Sequence, residues 1–275
     1  MSEPGTLSRK TAIVTGASSG IGRAIGLELS RAGAEVILAG RTQAPMEETA
    51  KLIEQAGGRA AVVSLDVRDP IQVQSLVAQA VQQSGRLDIL VNNAGVSYPS
   101  TIAEGDPENW RTMLETNVLA LLVGSQAAIR AMRACGAEGH IVNISSVAGR
   151  RDATGVYGAT KAAVNSIATT LRAELEDDTI RVVNVLPGAV ATNFARNWDP
   201  ALIEGFIKAT GFEEVEFTPG EHLPNAVLER LAKIAQKTLA APEDIARAVL
   251  FAVTQPIHLN VFELVVRPQK AMTLP

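Results

Sequence analysis

The sequence has a single cysteine, Cys135, which excludes an intramolecular disulfide and a cysteine-based zinc site and fits a reducing compartment. Cys135 reads as a small apolar residue. The three histidines, His140, His222 and His258, have no ligand spacing to one another, so no metal is expected. No stretch approaches the roughly 18 apolar residues of a membrane span. The first apolar segment, Thr11 to Ala17, is short and runs into glycines, which marks a strand and not a signal-peptide core. Positive charge is neither in excess nor clustered: the net charge is −4 and the pI about 5.5, which argues against nucleic acid or an anionic membrane as partner. Internal repeats, low-complexity tracts and linkers rich in Gly, Ser or Pro are also missing. These absences predict a soluble, cytoplasmic protein. At 275 residues, 47% hydrophobic and 20% charged, residues 1–275 can form one large domain.

Short β-branched runs alternate with longer amphipathic segments. TAIVTG precedes a helix from about Gly22 to Ala32, and AEVILAG one from about Pro45 to Ala56. AAVVSLDV, LDILVNNAG, HIVNISS, RVVNVLPG and VFELVVRP continue the series. The intervening helices fall around Ile71 to Ser84, Trp110 to Ala134, from near Tyr157, and over Pro242 to Thr254. Parallel strands need crossovers and are apolar on both faces, so the pattern predicts an α/β fold: one doubly wound parallel sheet of about seven strands. Residues 193–239 break the rhythm with Pro200, Pro219, Pro224 and several aromatics. A long insertion of this kind predicts a partly helical substrate lid. Trp198, Phe194, Phe206 and Phe212 are its candidates for lining a substrate site, with lid packing as their simpler role. Glu213-Glu214 and Asp177-Asp178 read as solvated faces and turns.

The first strand runs into Gly16-Ala17-Ser18-Ser19-Gly20-Ile21-Gly22 and then a helix. Glycine permits positive φ and close backbone approach, and a helix N-terminus offers free N–H groups to a pyrophosphate. The spacing differs from G-x-G-x-x-G, so a plain tight turn is the competing reading; the place between first strand and first helix favours a dinucleotide. An NAD site wants an acid at the tip of the second strand, whereas a 2′-phosphate needs a cation. That strand ends Ala39-Gly40-Arg41-Thr42. Arg41 can fork onto a phosphate or be a solvated surface arginine, and the first reading predicts NADP(H).

Tyr157 and Lys161 stand four residues apart, on one face of a helix. A free phenol has a pKa of about 10, and a nearby cation favours the phenolate. Such a pair can exchange a proton with a substrate oxygen, although the spacing alone also occurs on ordinary surfaces.

From Thr11 to about Pro268 the sequence resembles the short-chain dehydrogenase/reductase family. Thr15-Gly16-Ala17-Ser18-Ser19-Gly20-Ile21-Gly22 is similar to its cofactor turn, Asp66-Val67 to its adenine-contacting pair, and Asn92-Asn93-Ala94-Gly95 to the motif closing the fourth strand. Asn117 matches an asparagine that holds a water on the path to solvent. Ser146 aligns with a catalytic serine, and Pro187-Gly188 with Val190 and Thr192 resembles the segment binding the nicotinamide carboxamide. The resemblance implies that Tyr157 is the general acid and that Lys161 lowers its pKa and binds the nicotinamide ribose. It implies further that Ser146 binds the carbonyl oxygen and Asn117 completes a proton relay. Ser145 is the competing serine; strand alternation sends the two to opposite faces. The implied cofactor residues are Gly16, Ser18, Ser19, Gly20, Ile21, Gly22, Arg41, Asp66, Val67, Asn93, Ala94, Gly95, Tyr157, Lys161, Pro187, Gly188, Val190 and Thr192.

One departure is the loop Arg150-Arg151-Asp152-Ala153-Thr154-Gly155, shorter than in relatives with a similar Ser-Val-Ala-Gly segment. The terminal part resembles NADP-dependent members acting on hydroxy acids and other small alcohols. Relatives commonly form tetramers, so a homotetramer or homodimer is expected, with helices 118–132 and 157–171 as candidate interface. The leading reading is an NADP(H)-dependent carbonyl reductase, reversible as an alcohol dehydrogenase. A non-catalytic NADP-binding sensor or scaffold is the alternative. A third, epimerisation or dehydration, usually goes with a larger nucleotide-sugar domain.

Overall fold

Valine, isoleucine and leucine on both sides of each strand require cover on both faces. The computed structural model, which describes residues 6–198, 200–209, 218 and 220–270, supplies it. Among the described residues, seven strands pair in parallel: β1 (Thr11–Thr15), β2 (Glu35–Gly40), β3 (Arg59–Ser64), β4 (Ile89–Asn92), β5 (Gly139–Ile144), β6 (Ile180–Pro187) and β7 (Glu263–Val266). Their order is β3-β2-β1-β4-β5-β6-β7, the doubly wound α/β sheet read from the sequence.

Strand alternation divides the core. Val14, Leu38, Val91, Val142 and Val185 face one way, onto α1 (Gly20–Arg31), α2 (Gln43–Gln55) and α9 (Pro242–Val253), through Ile25, Leu29, Met46, Ile53, Ile245 and Val249. Ile13, Ile37, Leu90, Ile141 and Val182 face the other, onto α3 (Pro70–Ser84), α5 (Ala120–Cys135) and α6 (Gly155–Glu174), through Leu76, Val77, Ile129, Met132, Ala168 and Leu171.

Strand order reverses between β1 and β4. Helices leaving these neighbours go to opposite faces, so a crevice opens beyond their carboxyl ends. Two side chains shape its floor. Thr15 Oγ1 donates to Val91 O at 3.2 Å and accepts from Asn93 N at 3.0 Å. Asn93 Nδ2 donates to Thr15 O at 2.8 Å and Gly16 O at 3.2 Å. These bonds bend the chain out of the ladder, which is why β4 ends at Asn92 and not at Gly95.

The helix expected near Trp110 to Ala134 is a continuous helical run from Pro107 to Cys135. It comprises α4 (Pro107–Leu114), a π turn over Glu115–Leu119, and α5. Asp106 caps its start by accepting from Glu108 N at 3.0 Å, with Pro107 in the first turn. Contrary to expectation, this run is long and apolar enough to cross a membrane by length and composition, with a mean hydropathy of 1.3 over 18 residues. Part of it is core: Leu121, Gly124, Ala128, Ile129 and Met132 are buried, α5 packing against α3 and β4, while Leu114, Leu119 and Leu122 are exposed.

Between β6 and α9 lie a 3-10 turn over Asn193–Asn197, α7 (Pro200–Ala209) and α8 (Asn225–Ile234). They share a small core of their own, Ala191, Ile203, Ile207, Val227, Leu228, Leu231 and Leu239. The segment is thus partly helical, as its composition predicted. Phe212, Glu213, Glu214 and Pro219 lie outside the described residues.

Candidate active site

A cavity of about 1060 Å³ opens at the carboxyl ends of β1, β4, β5 and β6. At one end lies the turn between β1 and α1. Gly16 and Gly20 have φ of +66° and +54°, a region that disfavours a side chain. A Cβ on Gly16 would stand 2.9 Å from Ala94 Cα, and one on Gly22 would stand 2.4 Å from Gly16 O. The turn is therefore bare backbone at the start of a helix, the condition for binding a pyrophosphate. Thr192 closes over it, since a Cβ on Gly20 would meet Thr192 Cγ2 at 3.0 Å.

At the other end, Ser146, Tyr157 and Lys161 converge. Ser146 follows β5 in extended conformation and caps a 3-10 turn, Val147–Arg150, its Oγ accepting from Ala148 N at 3.1 Å. Ser145 points elsewhere: its hydroxyl donates to Asn165 Oδ1 at 2.7 Å on α6. Lys161 is buried and its Nζ donates to Ile144 O at 2.8 Å. It lies 5.9 Å from the centroid of the Tyr157 ring. The Phe194 ring covers Tyr157 at a centroid distance of 5.3 Å.

Burial sets the protonation states. Desolvation pushes the Tyr157 phenol up to about 12, outweighing hydrogen bonding from Ser146, which pulls it down. Desolvation also pulls the Lys161 ammonium down to about 8. In the protein by itself the cost of burying a phenolate dominates the Tyr157 shift, and Lys161 Nζ is aimed at Ile144 O. The site holds a neutral phenol, a hydrogen-bond and proton donor, beside a hydroxyl and a cation.

Asn117 sits in the π turn, where helix bulges often mark function. It is buried; its Oδ1 accepts from Val96 N at 2.9 Å, and its Nδ2 donates to Val96 O and to Thr160 Oγ1, both at 3.0 Å. Its side chain ties the Val96 backbone to Thr160 on α6.

The remaining sequence-predicted residues fall as follows. Gly16, Ser18, Ser19, Gly20, Ile21, Arg41, Asp66, Val67, Asn93, Ala94, Gly95, Pro187, Gly188, Val190 and Thr192 line the cavity with Ser146, Tyr157 and Lys161. Gly22 stands behind the turn, and Asn117 lines a small adjoining space. Asp66 is bound to Arg68, whose Nη2 is 2.6 Å from Oδ2. That hydrogen bond, against desolvation, holds its carboxyl below the usual range, with a smaller contribution from Arg41. Trp198 also lines the cavity. The short loop before Tyr157 is tied to β7 by an ion pair between Arg150 and Glu263 and lines the cavity through Arg151, Ala153, Thr154 and Gly155. His140 is buried in β5 and away from the cavity, and no His, Cys, Asp or Glu cluster suited to a metal occurs among the described residues.

Sequence reasoning missed two features. One is an asparagine ladder, Asn92, Asn143 and Asn184, in register across β4, β5 and β6. Asn92 Nδ2 donates to Asn143 Oδ1 and Ser125 Oγ, both at 3.0 Å, and Asn184 Nδ2 to Asn165 Oδ1 at 3.0 Å. Its signal was there: one Asn in each of three mostly apolar strands. The other is the charge of the cavity. In a chain of net charge −4, its described lining includes seven Lys or Arg and a single carboxylate, Asp66.

A family model described as short chain dehydrogenase matches residues 10–202. The chain belongs to the short-chain dehydrogenase family. It is thus an oxidoreductase by family. An uncharacterized oxidoreductase of Staphylococcus aureus is 34% identical over 264 residues, 95% of this chain and 98% of the relative. Among solved structures, a metagenomic short-chain oxidoreductase in complex with NADP is 29% identical with a TM-score of 0.74, over 96% of this chain and 99% of that one. An alcohol dehydrogenase from the archaeon Thermococcus sibiricus complexed with 5-hydroxy-NADP is 26% identical with a TM-score of 0.76, again over 96% and 99%. The glycine turn, Ser146, Tyr157 and Lys161 all lie in the matched span of this short-chain dehydrogenase.

Proposed function

We propose that the protein is an NADP(H)-dependent carbonyl reductase, reversible as an alcohol dehydrogenase, acting on a small substrate. The carrying observation is the convergence of Ser146, Tyr157 and Lys161 on one cavity with the bare glycine turn. The residues fit a dinucleotide: a Cβ would fill the cradle at Gly16, Gly20 and Gly22, and the cationic lining suits phosphates. Gly16, Ser18, Ser19, Gly20 and Ile21 would hold the pyrophosphate, Asp66 and Val67 the adenine end, and Arg41 the 2′-phosphate. Asn93, Ala94, Gly95, Pro187, Gly188, Val190 and Thr192 would line the nicotinamide half. When bound, NADPH supplies a hydride to the carbonyl carbon.

Tyr157 donates the proton that turns the carbonyl oxygen into a hydroxyl, and its raised pKa keeps that proton in place at neutral pH. Ser146 hydrogen-bonds the same oxygen and orients it. Lys161 supplies positive charge beside the phenol as phenolate forms, and a hydrogen-bond donor for the nicotinamide ribose. Asn117, held by Val96 and Thr160, completes the proton relay to solvent. The two cofactor complexes among similar structures and the lack of a carboxylate at the tip of β2 favour NADP(H) over NAD(H). Residues 193–239 serve as the substrate lid, Phe194 and Trp198 forming its apolar wall, within one domain spanning 1–275. The protein works in the cytoplasm as a homotetramer or homodimer joined through helices 118–132 and 157–171, the first of which exposes Leu119 and Leu122; light scattering showing a monomer would oppose that assembly.

The function is tested by NADPH consumption across ketones, aldehydes, sugars, hydroxy acids and steroids. Turnover of one class is expected. Tight NADPH binding with no turnover across the panel would favour a non-catalytic sensor.

A further inference from the structure

The lid carries a second guanidinium on the cavity that Arg41 lines. Arg196 lies in the turn Asn193–Asn197 and is half-buried. Its carbonyl accepts from Gly220 N at 2.9 Å, and its Nη1 donates to Asn193 O at 3.0 Å. Asn193 is itself buried and bonded to Leu223 in both directions, Oδ1 accepting from Leu223 N at 2.7 Å and Nδ2 donating to Leu223 O at 3.3 Å. The turn is thus knotted to the segment that carries His222. It also abuts the phosphate turn, through Thr192 against Gly20.

Arg41, Arg196 and His222 line the same cavity. Their charges are within reach of one another: desolvation and then Arg41 lower Arg196, and desolvation, Arg196 and Arg41 lower His222. No ion pair among the described residues includes Arg41 or Arg196. The one carboxylate of the described lining, Asp66, is engaged by Arg68; two guanidiniums on one cavity repel in the bare protein, and an anion between them turns repulsion into attraction. A phosphate offers enough oxygens for a forked contact from each.

We propose that Arg196 is a second determinant of the preference for NADP(H), gripping the cofactor 2′-phosphate from the lid while Arg41 grips it from the tip of β2. The inference deepens, and rests on, the NADP(H) reading above. It makes the lid turn part of the nucleotide site as well as of the substrate wall.

The pyrophosphate common to both nicotinamide cofactors could draw the same arginine, so the probes separate the two phosphates. Calorimetric titration of wild type, Arg196→Gln, Arg196→Lys, Arg41→Gln and the Arg41→Gln/Arg196→Gln double variant would use 2′,5′-ADP, ADP, NADP⁺ and NAD⁺. Arg196→Gln is expected to weaken 2′,5′-ADP and NADP⁺ by about tenfold or more and ADP and NAD⁺ by less than about twofold, with Arg196→Lys between. The double variant should lose less than the product of the two single losses, as befits two groups sharing one phosphate. Equal losses for 2′,5′-ADP and ADP would overturn the proposal, placing Arg196 on the pyrophosphate or in lid packing only. Unchanged 2′,5′-ADP binding in Arg196→Gln alongside a loss in Arg41→Gln would overturn it too, leaving the NADP(H) reading intact. Wild type binding NAD⁺ more tightly than NADP⁺ would sink both.

Discussion

The Phe194 ring lies 5.3 Å from the Tyr157 ring, centroid to centroid and tilted by 55°. A residue from the turn after β6 thereby covers the phenol on α6 and shares in its desolvation. Phe194→Ala should admit water, stabilise the phenolate and bring the Tyr157 pKa from about 12 toward the ordinary 10. The chain has two tyrosines, Tyr98 and Tyr157, so ultraviolet titration of Phe194→Ala against Phe194→Ala/Tyr157→Phe isolates the group. A Tyr157 titration left near 12 would mean that Phe194 contributes nothing to it.

Lys161 sets function against stability. Burial lowers its pKa from 10.5 to about 8, so between those values the folded protein binds fewer protons than the unfolded chain, and stability rises with pH there. Below pH 8 the full cost applies, about 3 kcal/mol at most. Lys161→Met should therefore lose turnover yet unfold at equal or higher urea concentration at pH 7, without the wild-type gain between pH 8 and 10.5. Loss of several kcal/mol in Lys161→Met would show that the bond to Ile144 O outweighs the desolvation.

A second buried ionic group lies at the opposite end of the sheet. Burial would raise the Asp88 pKa, but bonds from Arg86, Thr11 N at 2.9 Å and Lys10 outweigh it and hold the carboxylate ionised. Beside it, burial first, then Lys10 and Arg181, lowers the pKa of His140 from 6.5 to about 4. The folded state thus resists protonating His140, and stability should fall as pH drops from 6.5 to 4, by about 3 kcal/mol at most. The Asp88 contribution goes next, below its unfolded pKa of about 3.8. Urea melts along that range should show the first loss abolished in His140→Gln. Asp88→Asn should cost about 2 kcal/mol at pH 7.

The glycine turn gives a purely steric prediction. Alanine at Gly22 would press its Cβ to 2.4 Å from Gly16 O and 2.5 Å from Asn93 Nδ2, so the turn must shift. Gly22→Ala should weaken NADPH binding by about tenfold or more while the sheet still folds. NADPH fluorescence titration reads this directly, and wild-type affinity would show that the turn does not hold the cofactor.

These cases show what was legible in the sequence. The sheet was, because Ile13 and Val14, or Leu90 and Val91, are apolar on both faces, as only a parallel sheet covered twice demands. The clustering of the glycine turn, Ser146, Tyr157 and Lys161 could be anticipated from motif order. Arg196 could not, because its meaning depends on Asn193 and Leu223, 30 residues apart, being brought together. The direction of the Tyr157 shift was also beyond reach: spacing put a cation nearby, but burial depends on Phe194 and on where Lys161 Nζ is aimed. The π turn at Asn117 is likewise set by tertiary bonds to Val96 and Thr160 and leaves no mark in helical periodicity.

The central claim is that Tyr157 gives the substrate oxygen its proton. The direct measurement is single-turnover reduction by Tyr157→Phe, with NADPH affinity measured on the same sample. The account predicts NADPH binding within about threefold of wild type and a hydride-transfer rate lower by about 100-fold or more. Wild-type turnover in Tyr157→Phe would contradict it.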